Sequence, residues 1–273
     1  MFEKTIDQFA DLASSKAKAL RSDPLGFLIT SAMAGAYIGI GIILIFSLGQ
    51  NVDPPVRGLV MGACFGIALT LVVFAGSDLF TGHTMFMTIG LLRGTVRLPN
   101  LLQSWSLTWV GNLVGSVLLA WLFVLGGGGQ ILKHGADLLF NVASAKMSGP
   151  ALQLFARAVL CNWLVCLALW TSARASSDAA KCILIFWCLF AFIACGFEHS
   201  VANMTIFAIA LFGGHPESVT VSGAAYNLLW VTLGNAVAGT FFVAAAYWRA
   251  NGARVFTHLR PSAANPAAVV AAE

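Results

Sequence analysis

Six stretches of this chain run past the ~20 residues that span a ~30 Å hydrocarbon core, each with at most one charge inside. They lie between Asp23 and Asp53, Arg57 and Arg93, Arg97 and Lys133, Lys146 and Arg174, Lys181 and Glu217, and Glu217 and Arg249. Only 10% of the 273 residues are charged and 59% are hydrophobic, against about a quarter charged in soluble domains. The surplus apolar surface has to face lipid. Inside lipid a backbone must satisfy its own hydrogen bonds, so the expected fold class is an all-α membrane protein of six transmembrane helices.

Six spans leave both termini on one side. Eleven basic residues fall there: Lys4, Lys16, Lys18, Arg21, Arg93, Arg97, Arg174, Lys181, Arg249, Arg254 and Arg260. Four fall on the other: Arg57, Lys133, Lys146 and Arg157. The asymmetry places the termini in the cytoplasm. Asp7, Asp11, Lys16 and Lys18 interrupt any signal-peptide core. Phe2, Ile6, Phe9, Leu12 and Ala13 recur at helical spacing, so residues 1–22 read as an amphipathic helix along the membrane surface. Residues 24–248 form the spanning domain, and residues 249–273, Ala- and Pro-rich from Pro261, an unstructured cytoplasmic tail. The six cysteines are scattered without C-x-x-C spacing, which argues against a disulfide or metal site.

The second and fifth stretches are the informative ones. About 35 residues separate the flanking charges in each, and a straight helix of that length would run ~50 Å. Each holds one carboxylate near its middle, Asp78 or Glu198, close to a glycine. A charge at a helix centre costs roughly 2.5–3.5 kcal/mol on insertion scales. A helix broken at mid-membrane, its acid and freed backbone turned into protein, accounts for both length and charge. The two breaks also match. Gly76-Ser-Asp78-Leu-Phe-Thr81-Gly-His83 aligns with Gly196-Phe-Glu198-His199-Ser-Val-Ala-Asn203 at an offset of 120, and Gly111-Asn112 meets Gly234-Asn235 at 123. The chain therefore reads as two three-span repeats, about 24–132 and 147–248. Three is odd, so the copies insert with opposite topology, and the interrupted spans point to a substrate site at the midplane.

Asp78 and Glu198 are expected to cap the second half of each broken helix, accepting from its unpaired N–H groups; the alternative is direct contact with substrate. Left uncapped, the same helix end would draw an anion. His199, inside the break, is the leading substrate contact, because imidazole donates a hydrogen bond to an anion while neutral or carries a proton near neutral pH. His83, in the opposite break, either lines the approach or bonds to backbone. Thr81 offers a hydroxyl at the same depth, for His199, the anion or a helix-end carbonyl. Asn112 and Asn235 read as struts between helices, and Asn203 as strut or pathway. Phe65, Leu69, Leu79, Phe80 and Phe192 fall in or near the interrupted spans, where apolar side chains can form dry constrictions. Gly35 with Gly39, and Gly111 with Gly115, have the G-x-x-x-G spacing of closely packed helices.

The stretches Phe74-Ala-Gly-Ser-Asp-Leu-Phe-Thr-Gly-His-Thr-Met85 and Gly196-Phe-Glu-His-Ser-Val-Ala-Asn-Met204 resemble the two signature segments of the formate/nitrite transporter family. The likeness runs from about Pro24 to Trp248, and Gly82-His83-Thr84-Met85 is most similar to the nitrite branch. The resemblance implies an aquaporin-like fold and a homopentamer with one pore per protomer. It implies that Thr81 and His199 face each other at the pore centre. It also implies a cytoplasmic constriction of Leu69, Leu79 and Phe80, a periplasmic one of Phe65, Val165 and Phe192, and an anion environment that includes Lys146 and Asn203.

The function expected on these grounds is movement of nitrite, a small monovalent anion, across a bacterial inner membrane, either as the bare anion or with a proton taken at His199. Formate and hydrosulfide are the alternatives within the family. A membrane enzyme built on Glu198 and His199 would lack a metal-ligand set, a nucleophile and a cofactor motif. A water pore of aquaporin type would carry Asn-Pro-Ala at the breaks, and neither break has it. No catalytic residue, cofactor, metal or nucleic acid is expected; the partners are the anion and membrane lipid.

Overall fold

The computed structural model describes residues 2–133 and 137–254. The expected unstructured tail lies, from residue 255 on, outside the described residues. Every described element is a helix. In order they are α1 (Glu3–Ser22), α2 (Pro24–Gly49), α3 (Pro54–Cys64), α4 (Gly66–Phe74), α5 (Phe80–Arg93), α6 (Leu98–Leu125), α7 (Gly129–Lys133), α8 (Asp137–Met147), α9 (Ala151–Ser172), α10 (Asp178–Ala194), α11 (Ser200–Phe212) and α12 (Val221–Val237). The last runs on through a π-helical stretch, Ala238–Ala245, into α13 (Ala246–Ala250). Five segments are long and apolar enough to cross a membrane: α2, α3 with α4, α6, α9, and α12 with its continuation. The remaining crossing is shared by α10 and the shorter apolar α11.

Both interrupted spans end their first half in the same way. Gly76 and Gly196 take φ of +75° and +68°, a left-handed conformation that side chains with a Cβ resist. The chain then folds back so that Ser77 N–H donates to Val72 O at 3.1 Å and Phe197 N–H to Phe192 O at 3.0 Å. This closure satisfies carbonyls that the helix end would leave bare. The following halves, α5 and α11, are enclosed by protein. α5 packs against α1, α6, α9 and the π stretch, and α11 against α2, α6, α8 and α12. Every residue from Ser200 to Ala210 is buried. An all-round buried helix needs no polar face, which is why α11 is apolar apart from its first turns.

Two tight helix pairs, α2 with α6 and α9 with α12, frame the half-helices. In the first pair the backbones touch: a Cβ on Gly35 would collide with the carbonyl of Asn112, and one on Gly115 with that of Ala32.

The amphipathic helix departs from its expected setting. Ile6, Phe9, Ala10, Ala13, Ala17 and Leu20 are buried against protein rather than lipid. Phe9 stacks on Trp170 (centroids 5.8 Å apart) and Phe2 meets Tyr247 edge-on at 5.0 Å. The reason is geometric. A half-helix is too short to fill the depth of the bundle, and α1 covers the apolar surface left beside α5.

Gly115→Val should lower the thermal unfolding midpoint in detergent, since overpacking a closed contact costs about 1–3 kcal/mol. Gly214→Ala, where a Cβ meets nothing within 4 Å, should leave it unchanged.

Candidate functional site

The two breaks are stitched to the bundle by equivalent bonds. Asp78 N–H donates to Thr30 O on α2 at 3.2 Å, and Glu198 N–H to Arg157 O on α9 at 3.3 Å. Asn112 accepts from Phe80 N–H (2.9 Å) and donates to Ser31 O (2.7 Å) and Asp78 O (2.8 Å). Asn235 accepts from Ser200 N–H (2.9 Å) and donates to Ala158 O (2.8 Å) and Glu198 O (3.0 Å). The first N–H of α5 and of α11 is therefore met by these amides, which corrects the expectation that Asp78 and Glu198 would cap. The physical reason is the bonding inventory: an amide donates and accepts, so it can serve an N–H of the new helix and two carbonyls together, whereas a carboxylate only accepts.

The carboxylates, 3% and 2% exposed, turn to cations instead. Asp78 Oδ1 lies 2.6 Å from Lys16 Nζ, and Glu198 Oε2 lies 2.9 Å from Lys146 Nζ. Asp78 also accepts from the Thr30 hydroxyl (2.6 Å) and meets His83 Nε2 at 3.0 Å. Glu198 accepts from Asn203 Nδ2 at 2.6 Å. His83 reaches on to Ser104 at 2.8 Å, and Asn203 to Asn227 at 2.9 Å. Both ring nitrogens of His83 are thus engaged with side chains, leaving neither for an anion.

Between the breaks, Thr81 Oγ1 and His199 Nε2 stand 3.2 Å apart, both buried. His199 Nδ1 accepts from Ala202 N–H at 3.2 Å, capping α11. That acceptor role puts the ring proton on Nε2, facing Thr81, and leaves the Thr81 hydroxyl proton to donate elsewhere. Phe192 stacks on the imidazole with centroids 5.9 Å apart, and Phe65 meets Phe192 edge-on at 5.5 Å. Phe65, Leu69, Leu79, Val165, Phe192 and His199 line a central cavity of about 10 Å³, room for roughly one water. Phe80 stands apart, its ring edge-on to Trp105 at 6.3 Å. A larger cavity of about 420 Å³ opens at the end of the bundle away from the termini, and Lys146, Glu198, His199 and Asn203 line it. His199 and Phe192 border both spaces. The arrangement sets the Thr81–His199 pair at a small cavity whose other lining residues are apolar.

A family model described as formate/nitrite transporter matches residues 3–249. The chain belongs to the formate/nitrite transporter family. The nitrite transporter NirC of Escherichia coli (strain K12) is 54% identical over 253 residues, covering 92% of each chain. A solved structure titled FNT family ion channel shares 53% identity and a TM-score of 0.89, covering 91% of this chain and 99% of that one. Another, titled pentameric formate channel with formate bound, shares 27% identity and a TM-score of 0.69, covering 83% and 96%. This family member is accordingly a multi-pass membrane transporter and not an enzyme.

In this formate/nitrite transporter, sequence reasoning missed Lys16 and Asn162. Asn162 on α9 donates to Thr81 O (3.3 Å), Thr84 Oγ1 (3.0 Å) and Asn235 O (2.6 Å), fixing the first turn of α5 beside the centre. Its signal was only that of one more amide in an apolar span. Lys16 had a stronger one: it stands 130 positions before Lys146, so the internal repeat reaches back into α1, with α8 as its counterpart.

Lys146→Met should strand the Glu198 carboxylate and lower stability by about 3–5 kcal/mol, as for other broken buried pairs. Adding Glu198→Gln should restore most of the loss, read as thermal midpoints in detergent; no recovery would mean that the pair is not coupled.

Proposed function

We propose that this chain is a pore for nitrite, a small monovalent anion, in a bacterial inner membrane, with both termini in the cytoplasm. The observation that carries it is the Thr81–His199 pair, 3.2 Å apart and enclosed by apolar side chains, in a chain 54% identical to a nitrite transporter. The anion collects in the outer cavity beside Lys146 and Asn203, crosses Phe65, Val165 and Phe192, and meets Thr81 and His199. It leaves past Leu69 and Leu79 on the cytoplasmic side. Asp78 and Glu198 hold the two lysines in place, and the basic residues, eleven against four, support the orientation. The structural relative titled as pentameric supports five protomers, each with its own pore.

His199 is also the point at which a proton would join the anion. A second proton on the ring must enter at Nδ1 and displace Ala202 N–H, a loss of about 0.5–2 kcal/mol for a helix cap. Pairing imidazolium with an anion at 4 Å returns about 4 kcal/mol at an effective dielectric of 20, set against that loss and the desolvation of both ions. The anion then passes the second constriction as its neutral acid.

In proteoliposomes holding a pH dye, wild type should take up nitrite with one-for-one internal acidification, and His199→Ala should cut uptake roughly tenfold, the scale of about 1.4 kcal/mol. Nitrite current without acidification would leave a passive anion channel. Uptake of formate but not nitrite would move the substrate to the alternative within the family.

A further inference from the structure

The two mouths differ in charge at one pair of matched positions. Near the termini, Lys16 pairs with Asp78 at 2.6 Å. At the opposite mouth, Lys146 pairs with Glu198 at 2.9 Å. Each break thus holds one lysine–carboxylate pair. Thr30 and Arg157 then occupy equivalent places, because the carbonyl of each accepts from the N–H of the carboxylate-bearing residue at its break, at 3.2 and 3.3 Å. Thr30 is neutral, and its hydroxyl is engaged with Asp78 at 2.6 Å. Arg157 is a cation, is exposed, and lines the 420 Å³ cavity with Lys146, Asn203 and His199.

Arg157 lies in the second turn of α9, inside a span otherwise free of charge. A charged side chain within a span is costly and ordinarily pairs with an acid or faces water. Among the described residues no hydrogen bond or ion pair engages its guanidinium. Arg57, the other arginine of this cavity, is committed: it donates to Gly49 O at 2.9 Å and Val52 O at 3.0 Å. The cavity therefore carries three cations against one carboxylate, and one guanidinium fork is available. That fork matches two oxygens held at a fixed angle, as in nitrite or a small carboxylate, in a bidentate grip. A charged wall on a low-dielectric funnel also raises the local concentration of anions.

We propose that Arg157 is an anion-docking residue found at one mouth only, which makes the pore sided: small planar oxyanions half-saturate it at lower concentration from the mouth away from the termini. The proposal rests on the reading of the chain as an anion pore. It adds the sidedness and the residue that causes it.

The test is one-way flux of nitrite or formate across planar bilayers holding the full-length protein, with the anion titrated from one side and then the other and measured as it appears in the opposite chamber. Orientation is fixed by adding protease to one side and locating the cleaved C-terminus. At about 10 mM ionic strength the wild-type half-saturating concentration should be roughly three- to fivefold lower from the cavity side, and the ratio should fall below about two at 150 mM, where screening is within ~8 Å. Arg157→Gln should equalise the two sides at low salt, and Arg157→Lys should keep only the part of the difference that salt screens, because an ammonium supplies the charge without the fork. The salt dependence of wild type tests the idea without any variant. Equal half-saturation from both sides in wild type, or sidedness that survives Arg157→Gln, would overturn it while leaving the pore itself intact. An Arg157→Gln protein that loses maximal flux and assembly would assign the residue a structural role instead. No flux of either anion would overturn the pore and its sidedness together.

Discussion

A backbone that stops being helical inside a membrane needs a partner for every freed N–H and carbonyl, because lipid supplies none. Here two asparagine amides meet that demand. Asn112 and Asn235 each join the first N–H of a new half-helix to a carbonyl of the break and a carbonyl of a neighbouring span. Each amide thereby holds three strands of backbone in one place. The two half-helices that they secure carry Thr81 and follow His199, so the spacing at the centre depends on these six bonds.

With the backbone satisfied by amides, the two acids are free for another task. Each sits beside a lysine from a helix outside the long spans, α1 or α8, and each is extended by a short polar chain, His83 with Ser104 or Asn203 with Asn227. Each break thus holds a lysine–carboxylate pair, and the small cavity between them is lined by apolar side chains and His199. The His199 imidazole serves two sides at once. Its Nδ1 caps α11 and its Nε2 faces the passage, so any proton that it gains is linked to the start of a helix.

Much of this was legible before folding. Charge-free stretches declared the spans, overlong ones the breaks, and matched octapeptides the repeat. The central pair of His199 and Thr81 followed from the breaks and the family resemblance together. The function of the carboxylates was misread because helix ends ordinarily recruit acids, and nothing in local sequence says that an asparagine some 35 residues later arrives first. The setting of α1 was misread for a similar reason. An amphipathic helix shows one apolar face, and pattern alone does not say whether lipid or protein covers it.

The chain's own sequence determines which stretches are apolar enough to span a membrane, where the helices must break and which family it joins, because hydropathy, glycine placement and repeated motifs are local properties. Contact geometry is not local. Only the tertiary structure decided that amides cap the half-helices, that Lys16 and Lys146 hold matching acids, that both nitrogens of His83 are engaged with Asp78 and Ser104, and that Arg157 stands where its counterpart is Thr30. Each of these joins residues far apart in the chain. Which donor reaches which acceptor is set by how two inverted halves pack, and no window of sequence contains both.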